Sequence, residues 1–210
     1  MKKQNIITRL LSYKIFLGAS IGAAIVFIVI GMVLWNGLHY SLEVTSTEEF
    51  CISCHEMEVN VFQEYKDTIH YSNRTGIRAS CADCHIPKPL HLKILRKIKA
   101  STELYHMLVG TIDTPEKYEA HRHQMAQNVW QGMEQSNSRE CRNCHDFSQM
   151  NPESQKAAAA KQHASAQTQG KTCIHCHKGI AHKLSDEFME IEHEKLLTED
   201  ADCSQCHADM

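Results

Sequence analysis

Cys51-Ile52-Ser53-Cys54-His55 decides how this chain folds, because its pattern, Cys-x-x-Cys-His, returns four more times. The copies are Cys81-Ala82-Asp83-Cys84-His85, Cys141-Arg142-Asn143-Cys144-His145, Cys173-Ile174-His175-Cys176-His177 and Cys203-Ser204-Gln205-Cys206-His207, and together the five take all 10 cysteines. Two thiols three residues apart can add to the two vinyl groups of one haem, and the imidazole of the next residue then lies beneath the iron. A zinc knuckle or a dithiol redox pair also uses Cys-x-x-Cys, but neither needs His directly after the second Cys. Each copy therefore reads as one covalent haem c, giving five per chain, with His55, His85, His145, His177 and His207 as proximal ligands of the irons.

Working outward, aromatic residues make up only 7% of the chain, so the macrocycles must supply much of the buried surface. The expected fold class is mainly α with little regular sheet: a single N-terminal transmembrane helix, then a multihaem cytochrome c domain packed around five covalent haems. A net charge of −3 offers no polyanion-binding surface, and nucleic acid is not an expected partner. Thiols used this way point to a compartment outside the reducing cytoplasm, in a bacterium the periplasm.

The first 14 residues carry Lys2, Lys3, Arg9 and Lys14 and no acid, and the next 24, Ile15 to Leu38, carry no charge. At 1.5 Å per residue such a run crosses a hydrocarbon layer of about 30 Å, and the basic flank places the N-terminus in the cytoplasm. A cleaved signal peptide has a shorter apolar region of about 7–15 residues and a small-residue cleavage site. Leu38-His39-Tyr40-Ser41-Leu42-Glu43 offers none, so an uncleaved single-pass anchor in the inner membrane, contacting the lipid bilayer, is expected. The organisation read from the sequence is a cytoplasmic N-terminus over 1–14, an anchor over 15–38, a periplasmic four-haem domain over 39–185 and an extension over 186–210 carrying the fifth haem.

The first cysteines of the motifs fall at 51, 81, 141, 173 and 203, a rhythm of two two-haem units with a fifth haem appended. Each iron needs a second axial ligand or an open position. His70, His163 and His193 stand ten or eleven residues ahead of Cys81, Cys173 and Cys203, and His182 lies where the chain loops back after the fourth motif. These four are the candidate distal imidazoles. Met57, two residues after His55, offers the first iron a thioether, which would raise its potential, or simply fills a gap beside the porphyrin. Between the pairs, Leu90 to Val109 has helical apolar spacing with Lys93, Arg96, Lys97 and Lys99 on its polar side; Asp113-Thr114-Pro115-Glu116 reads as a helix start; and Ala157 to Lys161 opens a helix that brings His163 near its end.

Several stretches beyond the haem motifs resemble the NapC/NirT family of membrane-anchored multihaem cytochromes c. They are Thr45 to Cys51, His70-Tyr71-Ser72-Asn73-Arg74-Thr75-Gly76, Gly110-Thr111-Ile112-Asp113-Thr114-Pro115-Glu116-Lys117, Glu140 to Phe147 and Cys173 to His182. The resemblance implies that the chain oxidises membrane quinol, menaquinol or ubiquinol, and passes electrons through its haems to a periplasmic reductase for nitrate, nitrite or trimethylamine N-oxide. It implies distal roles for His70, His163 and His182, Met57 as ligand of the first iron, and Lys97 as a quinol contact. Where many members have a His three residues after the second proximal His, this chain has Lys88, so Lys88 and His91 are the alternatives there. The fifth motif also departs from the usual four-haem pattern. A multihaem terminal reductase and a haem-stabilised scaffold subunit are the competing functions; the oligomeric state is left open, a homo-oligomer included.

Overall fold

The computed structural model describes residues 6–14 and 20–198. The chain divides into two units, Met1–Ser46 and Thr47–Met210. Among the described residues every repeating element is helical; the one β feature is an isolated bridge between Lys14 and Ser20.

The first unit holds α1, Ile6–Leu11, and α2, Ile21–Val44. Ser20 starts α2, its hydroxyl accepting the Ala23 N–H at 3.2 Å. The 24 residues of α2 make a rod about 36 Å long. Its apolar side chains are exposed on all sides, Phe27, Val33 and Leu34 among them. A helix that is apolar all round with no protein covering it suits a lipid surrounding. The helix does not stop at Leu38, where the apolar run was read to end, because His39 to Glu43 continue it without a breaker. Thr45 and Ser46 end it, their hydroxyls donating back to the Ser41 and Leu42 carbonyls at 2.8 and 2.6 Å.

In the second unit short helices alternate with loops: α3, Glu48–Ile52; a π turn, Met57–Val61; α4, Phe62–Lys66; α5, Cys81–His85; α6, Leu90–Leu108; α7, Pro115–Gln135; α8, Ala157–Gln169; α9, Cys173–Cys176; and α10, Asp186–Thr198. Thr114 caps α7 through the Lys117 N–H, with Pro115 at the first helical position, as the sequence predicts. Gly110 leaves α6 at a φ of +70°, and Lys117 Nζ closes the turn on the Gly110 carbonyl at 2.8 Å. Gly170, at φ +67°, ends α8. His163 is the seventh of the 13 residues of α8, so it sits mid-helix and not near the end.

The buried apolar side chains of this unit, among the described residues, are Tyr65, Tyr118, Ala166 and Ile174. Four such groups are too few to hold a unit of this length, which fits a domain whose buried surface comes largely from macrocycles.

Candidate haem-binding site

The second, third and fourth motifs each turn through one helical step, whereas the first runs off the end of α3, which includes only Cys51 and Ile52 of it. Cys81–His85 and Cys173–Cys176 are α-helical and Cys141–Asn143 is a 3-10 turn. In the third and fourth motifs the His N–H donates to the first Cys carbonyl, at 2.9 Å for His145 and 3.0 Å for His177. Residues i, i+3 and i+4 of such a turn share one face, so the spacing points both thiols and the imidazole the same way. The second motif is further fixed by a capping box, in which Asp83 accepts from the Ser80 N–H at 2.8 Å and the Ser80 hydroxyl at 2.7 Å. Those two bonds hold Asp83 below its ordinary pKa, so it is committed to the cap and is a poor proton acceptor.

Three motif histidines face a distant imidazole. The ring centres are 6.2 Å apart for His145 and His70, 6.3 Å for His85 and His182, and 6.0 Å for His177 and His163. Metal–imidazole bonds of about 2.0–2.1 Å, with each ring centre about 1.2 Å behind its nitrogen, put two rings coordinating one ion from opposite sides about 6.3 Å apart. No group of three or more His, Cys, Asp or Glu side chains among the described residues is disposed to hold a bare metal ion; the imidazoles come as opposed pairs, the arrangement haem iron uses. Nδ1 of His70 is buried without a hydrogen-bond partner, a cost a ring bears more readily when something other than solvent fixes it. His163 Nδ1 instead meets Gln155 Oε1 at 2.6 Å, so Nδ1 carries the proton and Nε2 keeps its lone pair for a metal. The residues present fit haem.

Electrostatics favour the same state. Burial, with help from His182 and Arg96, drives His85 down to about 4. Burial also lowers His177 and His182, so all three rings are neutral near pH 7, as ligands must be.

Each of the three opposing rings is held differently. Tyr65, buried on α4, donates its hydroxyl to the His70 carbonyl at 3.0 Å and also to that of Ala79, whose N–H donates to the His70 carbonyl at 3.1 Å. His163 rides on α8. His182 lies in the irregular stretch between α9 and α10, where Lys183 is tied to Glu64 and Arg122.

The motifs also adjoin one another. Cys51 and Cys81 share a thiol hydrogen bond, which, more than the nearby Lys97, lowers Cys51 to about 7 and raises Cys81. Burial lifts Cys84 to about 11, with Cys141 and Cys144 adding to it, and Cys141 is raised by burial and by Cys173. Ser138, fully buried at φ +48°, accepts the Ile174 N–H at 3.1 Å, and Glu134 accepts the Thr172 hydroxyl at 2.6 Å, stitching the third motif to the fourth.

The sequence profile described as "NapC/NirT cytochrome c family, N-terminal region" matches residues 16–187. The chain belongs to this family. It is similar to the cytochrome c-type protein NapC of Escherichia coli strain K12, 56% identical over 162 residues, which are 77% of this chain and 80% of that protein. The denitrification system component NirT of Stutzerimonas stutzeri is 54% identical over 169 residues, covering 80% and 84%. The cytochrome c-type protein TorC of Escherichia coli strain K12 is 45% identical over 160 residues, 76% of this chain but 41% of that longer protein. No solved structure matches. Membership of the NapC/NirT family brings covalent haem c and, with α2, a membrane-anchored cytochrome.

Within that family frame the remaining sequence candidates fall as follows. Lys97, on α6, acts electrostatically on Cys51. Met57 opens the π turn directly after the first motif, an irregularity that often marks functional sites. His91 is exposed on the first turn of α6, and the charge of Lys88 bears on Asp83. His193 is exposed on α10, with Nδ1 2.7 Å from the Met189 carbonyl. The fifth motif, Cys203, Cys206 and His207, lies outside the described residues. Sequence reasoning missed Glu64, Tyr65, Arg122 and Ser138; each acts across a long sequence separation and belongs to no periodic pattern.

Proposed function

We propose that the chain is a quinol-oxidising electron carrier that relays electrons to a periplasmic terminal reductase in anaerobic respiration. The observation that carries this reading is the set of three opposed imidazole pairs: with both axial sides taken, an iron exchanges electrons and has no position for a substrate. Family membership and similarity to NapC, NirT and TorC support it, and nitrate, nitrite or trimethylamine N-oxide reductases are the candidate acceptors.

Five haems are assigned. The cysteine pairs hold them covalently; His55, His85, His145, His177 and His207 are the proximal ligands, with His182 opposite His85, His70 opposite His145 and His163 opposite His177. Met57 serves the first iron and His193 a haem of the last unit. Bound haem iron supplies the one-electron redox change. The anchor leaves the N-terminus in the cytoplasm and the haem domain, through residue 185, in the periplasm, with 186–210 as an added fifth-haem segment.

Lys97 is the quinol contact. Its ammonium, close enough to Cys51 to favour the thiolate, can donate to a quinol oxygen and stabilise the anion left as a quinol hydroxyl loses its proton. Glu56 and Glu58, which follow the first motif closely in sequence, are the candidate carboxylates to receive protons.

The test uses the purified, detergent-solubilised protein: haem content from the pyridine haemochrome, then addition of a menaquinol analogue. About five haems per chain, reduced within seconds only with quinol, is the expected result. A full complement that quinol leaves oxidised would overturn the reading in favour of a scaffold subunit, and reduction of a nitrogen oxide by the isolated protein would favour a terminal reductase.

A further inference from the structure

His182 must keep its ring opposite His85, yet its stretch of chain, 177–185, lies in neither α9 nor α10. The ring itself has a hydrogen bond with the Val61 backbone, and the main chain beside it is fixed through the next residue. The Lys183 N–H donates to Glu64 Oε2 at 3.0 Å, and the Lys183 carbonyl accepts from Arg122 Nη1 at 3.2 Å. Arg122 in turn grips Glu64 with two bonds, Nη1 to Oε2 at 3.0 Å and Nη2 to Oε1 at 2.7 Å. Its Nε and Nη2 also donate to Glu119 at 2.8 and 2.6 Å. All five guanidinium N–H groups thus have acceptors, in a side chain only 9% exposed that lies 5.0 Å from the Tyr118 ring centre.

The network draws on three separate stretches: Glu64 on α4, Arg122 on α7, and the main chain beside His182. A buried ion pair contributes little net stability compared with apolar packing, but removing one partner is costly, and such pairs serve best to enforce a single geometry. The Glu64 carboxylate also acts electrostatically on His182.

We propose that Glu64 and Arg122 are positioning residues that hold the His182 imidazole against the iron carried by Cys81 and Cys84, acting through the main chain of Lys183. The inference rests on the reading of His182 as that iron's distal ligand.

The experiment measures carbon monoxide binding to the fully reduced, full-length holoprotein, per chain and relative to the parent. An iron with two imidazoles does not take up the gas; one that has lost its distal ring does. His182→Ala tests the underlying reading and is expected to add about one binding haem per chain. Glu64→Leu, which removes the Lys183 acceptor and the ion pair together, is expected to add at least about half as much with haem content unchanged. Glu64→Gln keeps an oxygen for the Lys183 N–H and should fall between Glu64→Leu and the parent; Lys117→Ala, on the helix that carries Arg122, should match the parent.

If His182→Ala binds no more than the parent, the ligand assignment fails. If His182→Ala opens an iron but fully haem-loaded Glu64→Leu does not, the positioning role fails and the network is structural only. Should Glu64→Leu not accumulate with haem, Glu64→Gln together with Arg122→Lys decides by the same readout, and parent-like binding in both overturns the proposal.

Discussion

The first and second motifs sit side by side, joined by the Cys51–Cys81 thiol contact, yet they are built differently. Around the second, every group is committed: Ser80 and Asp83 cap the turn, His85 is desolvated, and His182 faces it from a clamped loop. Around the first, His55 is exposed, no ring among the described residues opposes it, and the helix loosens into the π turn that begins at Met57. The second region is made to stay closed, whereas the first keeps an accessible side with a lysine nearby. That contrast is what a protein needs if electrons enter at one place from a diffusible donor and pass onward among groups shut off from solvent.

The harshest way to break the contrast is Cys84→Ser. It should lower the pyridine haemochrome by about one haem per chain and sharply reduce accumulation, because so little apolar side-chain core remains to hold the unit. Met57→His would make the first site resemble the second. A fall in one potential on the order of 100 mV, with the other haems unmoved in a redox titration, is expected, and no shift would remove Met57 from the ligand set. Lys97→Ala should slow quinol-driven reduction about tenfold, or ~1.4 kcal/mol of barrier, while dithionite still reduces every haem. Ser138→Ala, away from both motifs, should lower the melting temperature by a few degrees through the loss of about 1–3 kcal/mol at the buried Ile174 N–H, without altering quinol oxidation.

Acid should reveal the clamp on the closed side. Burial works against the Glu64 carboxylate, but Arg122 and the Lys183 N–H outweigh it and hold its pKa below the ordinary 4.5. A carboxyl depressed in the folded state contributes stability that is present above its unfolded pKa and lost as pH falls through the folded one. Stability should therefore drop as pH is taken below about 4.5, and Glu64→Gln should show a flatter acid limb in thermal melts between pH 5 and 3.

The sequence made legible whatever is written locally or by repetition. The five motifs, the apolar run that became α2, the Thr114-Pro115 helix start and the Ala157 helix each carry their own signal within a few residues. His70 and His163, which the structure sets opposite His145 and His177, stand out in the sequence because they lie ten or eleven residues ahead of a motif. Which motif histidine each of these imidazoles faces was not readable, since His70 faces the third motif and not the second, which it precedes. That partnership depends on how loops cross. Nor did any pattern announce that Glu64 and Arg122, 58 residues apart, would meet beside Lys183. The outward-facing Leu95, Ile98, Tyr105 and Leu108 of α6 show the opposite limit: helical spacing identified the face but could not say that it would be exposed.

The thiol contact between Cys51 and Cys81 also bears on biogenesis. The contact lowers Cys51 and so favours its thiolate, the form that attacks and cross-links. In an oxidising compartment, bare thiols brought together in this way are liable to oxidation to a disulfide, and one such bond would forfeit two attachment sites. The closeness that suits the finished protein for electron exchange therefore sets an order on its making: thiols kept reduced, and haem delivered early to the first two motifs.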